Sequence, residues 1–160
     1  MSKSLRRVQD ALAAAGLRIT PQEMPAETRT AAQAAQAAGC APDQIAKSIV
    51  FQGAESGEVL LFVTAGGRQV DQLRAAAIAG EALVRADAGA VRAQTGFAIG
   101  GVSPVGHLAP VRAFFDPTLL RFQTVWAAAG TPRHIFAIAP ADLLRISGAR
   151  VADFTDRPMM

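Results

Sequence analysis

The chain has 160 residues, 51% of them hydrophobic, with one cysteine and a formal net charge of +3. That length suits one domain with a real core, and a lone Cys40 excludes an internal disulfide or a multi-cysteine metal centre. No apolar run approaches the about 20 residues that cross a bilayer. No hydrophobic stretch of a secretory leader follows Lys3, Arg6 and Arg7, so a cytoplasmic protein with no membrane partner is expected.

In chain order, Ser4 can cap a first helix carrying Leu5, Val8 and Leu12 on one face, closed by Gly16. Leu17 to Ile19 reads as a short strand before Pro21. Thr28 or Thr30 can cap an alanine-rich helix over 31–38, ended by Gly39. Pro42 and Asp43 suit the first turn of a short helix that leads to Lys47. Ser48–Gln52 and Val59–Thr64 read as two strands of a hairpin joined through Gly53 to Gly57. Asp71 starts a helix ending near Gly80, Leu83–Arg85 reads as a strand, and Asp87 caps a helix running to Thr95. Phe97–Ile99 looks strand-like and leads into Gly100-Gly101-Val102-Ser103-Pro104-Val105-Gly106-His107. Val111–Phe115 is a strand stopped by Asp116 and Pro117. Thr124–Ala128 and His134–Ala139 read as a second hairpin, Pro140 starts a helix closed by Gly148, and Val151–Phe154 reads as a last strand. Helices interspersed with short strands and two hairpins imply an α+β fold with a mixed sheet, over a single domain spanning 1–160.

Two features carry chemistry. The glycine-rich stretch at 100–107 cannot be a helix interior, and it offers a ligand exposed main chain without bulky side chains. It lacks the Lys of a P-loop, the Gly-x-Gly-x-x-Gly spacing of a dinucleotide site and the Gly-x-Ser-x-Gly of a hydrolase elbow. Ser103 before Pro104 is therefore a poor nucleophile. The second feature is Lys47, one of only two lysines in a chain that otherwise uses arginine. It stands in the apolar Ile45-Ala46-Lys47-Ser48-Ile49-Val50-Phe51, where a compact ammonium beside a glycine loop makes an anion or carbonyl site. His107 follows the loop and can reach a ligand held there. His134, in a predicted strand beside Arg133, reads as structural or surface, and two separated histidines make no metal site.

The Lys47 segment, Leu61-Phe62-Val63-Thr64 and the 100–106 loop, in this order, resemble the YbaK/EbsC family over roughly residues 5 to 155. These are free-standing relatives of the editing domain of bacterial prolyl-tRNA synthetases. The resemblance implies a curved, partly barrel-like mixed sheet flanked by helices. It implies an aminoacyl-tRNA deacylase that removes a small mischarged amino acid (Ala, Ser, Thr or Cys), with proline tRNA the expected carrier and prolyl-tRNA synthetase a further partner. It needs no cofactor, metal or DNA. By the same resemblance, Lys47, Gly100 and Gly101 are the catalytic positions and Val102 and Ser103 lie beside the substrate; His107 is added as a substrate-binding residue from its place directly after the loop. Val102 departs from the small residue of cysteine-removing members, and His107 from the apolar or basic residue expected after the loop; both count against cysteine as the substrate. The modest net charge fits contact with the acceptor end of an RNA alone. Two other functions share these residues: a non-catalytic RNA-binding module, and an ester hydrolase built on Ser103 and His107.

Overall fold

The computed structural model describes residues 2–156 and, among them, five α-helices and eight strands. The first helix, α1 (Lys3–Ala14), buries Leu5, Val8 and Leu12 along one face. Its cap is Ser2, whose hydroxyl accepts the Leu5 N–H at 3.0 Å; Ser4 lies inside the first turn. The expected strand at 17–19 does not form. Leu17 and Ile19 pack on the core without a strand partner, and pairing begins after Pro21 with β1 (Gln22–Glu23).

Helix α2 (Ala31–Ala38) is held by a capping box between Thr30 and Gln33 and closed by Gly39 in the left-handed conformation. A 3-10 turn over Pro42–Gln44 feeds directly into β2 (Ile45–Gly53). This strand is longer than its sequence suggests, and Lys47 lies within it. It pairs antiparallel with β3 (Val59–Ala65), in which every residue is buried. Alternation sends Leu61, Val63 and Ala65 into one core, with α1, and Leu60 and Phe62 into a second core. Helix α3 (Gln72–Ala79) covers that second core through Ala75 and Ala79.

Asp71 caps α3, and Asp87 caps α4 (Ala88–Thr95) after the short strand β4 (Leu83–Arg85). Phe97–Ile99 is not a strand. Phe97 is instead fully buried under the Arg7 guanidinium, 4.7 Å from its ring centre. The rest of the chain gives β5 (Arg112–Phe115), β6 (Val125–Thr131), β7 (His134–Ile138), α5 (Pro140–Ser147) and β8 (Arg150–Val151). Beyond β8, Phe154 is buried in the second core rather than paired.

The strands form one mixed sheet in the order β1-β7-β6-β2-β3-β5-β8, with β4 also paired to β2. The contacts β2–β6, β3–β5 and β5–β8 are parallel, the others antiparallel. The path ends at β1 and β8, which do not pair with each other, so the sheet is not closed into a barrel. The α+β class expected from the interspersed pattern is the one observed. No helix among the described residues is long and apolar enough to cross a membrane.

Candidate active site at the open edge of β2

One edge of β2 is interrupted. It pairs with β6 only at Ile45 and Ala46, and with β4 only from Phe51 onward. Further along β6, its pairing with β7 is irregular between Ala128 and Thr131. Residues 47–50 therefore have β3 on one side and no ladder partner on the other. The direction of their main chain follows from the flanking bonds. Gly53 N–H donates towards β3, to Glu58 O at 2.9 Å, and Ala54 N–H donates to the other side, to Ala82 O at 2.8 Å. Alternation then points the N–H and C=O of Ser48 at the open edge.

A cavity of about 340 Å³ lies along this edge. Its floor is Ala46 to Ile49 of β2, one wall is Trp126 to Ala128 of β6, and another is Thr28 to Ala31 leading into α2. Gly100 and Val102 close it from the glycine loop. Lys47 and Gly100, 53 positions apart in sequence, thus meet at one cavity. Alanine is the commonest residue in its lining, at Ala31, Ala34, Ala46, Ala127 and Ala128, and the volume suits a small group.

Lys47 Nζ donates to the carbonyls of Gly66, at 3.4 Å, and of Arg68. An ammonium has three donors, so one remains for a ligand. Burial pushes its pKa below the ordinary lysine value, while Asp156, Asp43 and Asp116 pull it back up. Asp116 is itself buried and accepts from Ala65 N–H at 3.1 Å and Thr118 N–H at 2.9 Å.

The loop is braced from α1. Arg7 donates to Gly96 O at 2.6 Å and Gly106 O at 3.2 Å. Gly106, with φ of 82°, sits against the Arg7 main chain, where a Cβ would come within 3.0 Å of the Arg7 carbonyl oxygen. Gly100 has φ of 85°, a left-handed conformation that glycine alone adopts at little cost. Gly101 does not line the cavity, and its N–H is used in a turn with Ala98 O at 2.9 Å.

Ser103 and His107 lie apart from this cavity. The Ser103 hydroxyl is buried and accepts from Val105 N–H at 3.3 Å. His107 Nε2 meets the Ser103 main-chain carbonyl at 2.7 Å, not the hydroxyl, and a carbonyl only accepts, so that nitrogen carries the hydrogen. The pair is not a nucleophile with its base. His107 lines a separate cavity of about 380 Å³ between Pro104–Val111 and the end of α5, and burial holds its pKa below the ordinary histidine value. His134 Nδ1 is 2.6 Å from the Thr131 hydroxyl in the β6–β7 turn.

Sequence reasoning passed over Ser48. Its signal was a polar residue on the core-facing phase of an apolar strand, between Ala46 and Val50. Trp126 and the Thr28–Ala31 segment carried no such signal, because only the sheet order brings them to β2.

The model of the aminoacyl-tRNA editing domain family matches residues 25–146. The uncharacterized protein YwhH of Bacillus subtilis (strain 168) is 33% identical over 129 residues, covering 81% of this chain and 82% of that protein. A solved structure described as a candidate trans-editing enzyme for prolyl tRNA synthetase superposes with a TM-score of 0.90 at 47% identity, over 98% of this chain and 99% of that one. A second solved structure, of a hypothetical protein, gives a TM-score of 0.84 at 28% identity, over 94% of this chain and 99% of that one. With the matched segment running from before α2 into α5 and so enclosing both Lys47 and the glycine loop, the chain belongs to the aminoacyl-tRNA editing domain family.

Proposed function

We propose that this chain is a trans-editing deacylase that hydrolyses the ester between a small mischarged amino acid (Ala, Ser, Thr or Cys) and the acceptor end of a tRNA. Proline tRNA is the favoured carrier, because the 47%-identical relative is described as working for prolyl tRNA synthetase. That synthetase is then a natural partner, the cytoplasm the natural compartment, and residues 1–160 act as one unit. The observation that carries the reading is the small cavity on the open edge of β2, lined by both Lys47 and Gly100. A volume of about 340 Å³ is at the small end for ligand sites and suits a short side chain joined to a ribose.

The reaction needs little covalent help. Water adds to the ester carbonyl, the bond from that carbon to the ribose oxygen breaks, and the ribose oxygen takes up a proton. The neighbouring ribose hydroxyl can position the water. Lys47 supplies a positive charge for the carbonyl oxygen, the ribose or the terminal phosphate through its remaining donor. Gly100 and Val102 form the wall that holds the acyl group in place. Gly101, Ser103 and His107 support that wall through the turn and loop bonds described above.

The test is a deacylation panel of alanyl-, seryl-, threonyl-, cysteinyl- and prolyl-tRNA with the purified protein. Turnover of at least one of the first four, with prolyl-tRNA spared, is the expected result. No turnover of any of them would sink the reading.

A further inference from the structure

We propose that Ser48 makes the site selective for a side chain bearing a hydroxyl, so that a seryl group is preferred over an alanyl group. This rests on the deacylase reading above and goes further by assigning the choice of substrate to one residue.

The Ser48 hydroxyl oxygen is sealed from solvent and has no hydrogen-bond partner among the described residues, so it meets a ligand in the cavity its residue lines by turning about χ1 to another staggered position. Buried polar atoms are nearly always paired, and leaving one unpaired costs as much as the bond it lacks. The hydroxyls of three other buried residues are used: Ser103 with Val105 N–H, Thr64 with Phe62 O, Thr95 with Val91 O. Ser48 lines the cavity, on the stretch of β2 that has lost its strand neighbour. Its main-chain N–H and C=O face that same edge. A hydroxyl can both donate and accept, so it matches another hydroxyl in either sense. Ala34, Ala46, Ala127 and Val102 offer a methyl group contact without discrimination, while the Thr28 and Thr30 hydroxyls, which also line the cavity, already bond Pro132 O and Gln33 N–H. An apolar pocket separates near-isosteres poorly, whereas a site that hydrogen-bonds a substrate hydroxyl rejects the analogue lacking it.

Seryl and alanyl groups differ by one oxygen and are the matched probes. In the wild-type protein kcat/KM for seryl-tRNA should exceed that for alanyl-tRNA. Ser48→Ala should lower the seryl value about tenfold, ~1.4 kcal/mol, and leave the alanyl value within about twofold. Ser48→Thr, which keeps the hydroxyl, should retain the seryl preference. Because Ser48→Ala removes an unpaired polar atom, its melting temperature should not fall, which separates misfolding from lost recognition. Equal losses on both substrates would place Ser48 against a part common to them, and no loss on either would leave it without a role; each result overturns the inference and leaves the deacylase reading standing. Binding of amide-linked, non-hydrolysable seryl- and alanyl-adenosine, read by Trp126 fluorescence, covers the case of no turnover. Seryl-selective binding that Ser48→Ala abolishes would support Ser48 even if the deacylase reading fails, and equal binding of the two analogues would refute it.

Discussion

Three residues near the cavity call for three different outcomes. Lys47 is a half-buried ammonium tethered by two main-chain carbonyls, so its charge is fixed in place. Lys47→Ala should cost about 10²-fold or more in deacylation while the fold persists, the scale of losing one preorganised electrostatic group. Lys47→Arg should also be poor, since a planar fork cannot sit between those carbonyls as a point charge does. Full activity in folded Lys47→Ala protein would remove Lys47 from the mechanism. At Gly100 a Cβ meets open space, but φ is 85°. Gly100→Ala should therefore cost about 1–2 kcal/mol through backbone strain and displace the cavity wall, lowering turnover as well. Gly101→Ala should be close to neutral in both, because its φ is not positive and the nearest atom to a Cβ is Ala98 O at 3.6 Å. Thermal melting and deacylation on the same preparations check both. Ser103→Ala should lose about 1 kcal/mol of stability and keep turnover within tenfold, because the hydroxyl serves a turn and not the cavity. A dead but folded Ser103→Ala protein would instead revive a serine hydrolase.

At the scale of elements, the loop 96–107 is the part whose stability should respond to pH. His107 is partly buried, and its pKa is lowered chiefly by desolvation, against the opposing pull of the Ser103 carbonyl and with a smaller push from Arg7. The folded state thus holds it neutral at pH values where the unfolded chain has taken up a proton. Stability falls as pH drops through the unfolded value of about 6.5 towards the lower folded value, and levels off below it. His107→Asn should flatten that part of the curve, measured as denaturant midpoints between pH 5 and 8. An unchanged slope would mean that other groups carry the acid sensitivity. The helices around this loop were legible in the sequence because their ends are marked chemically: Asp71 and Asp87 accept from first-turn N–H groups, and Gly39, Gly80, Gly96 and Gly148 turn left-handed at the exits. Strand pairing was not legible. Nothing local in Ile45 or Trp126 announces that they lie side by side in parallel. The gap at 47–50, and with it the cavity, follows from that long-range pairing. Phe97–Ile99 misled because three apolar residues serve equally as a strand or as a plug under Arg7.

The whole molecule is organised around β3, which is buried on both faces and belongs to both large cores. Phe62 stacks on Phe114 at 5.3 Å and meets Phe154 edge-on at 5.0 Å in one core, while its neighbour Val63 enters the other. Neither core can keep its packing if this strand leaves, so the two should melt together. Phe62→Ala should cost about 3–5 kcal/mol. At this chain length that lowers the melting temperature by on the order of 10 °C, still in one transition. Trp126, the sole tryptophan, lies at the cavity on the far side of β2 from that core, so its fluorescence reports the site while far-UV circular dichroism reports the whole chain. Coincident transitions by the two probes, in wild type and in Phe62→Ala alike, are expected if residues 1–160 form one cooperative unit. A fluorescence transition that precedes the loss of secondary structure would show that the β2–β6 cavity opens independently. Damage to the second core would then leave the site intact, and the substrate cavity would have to be treated as a separate, weaker region of the fold.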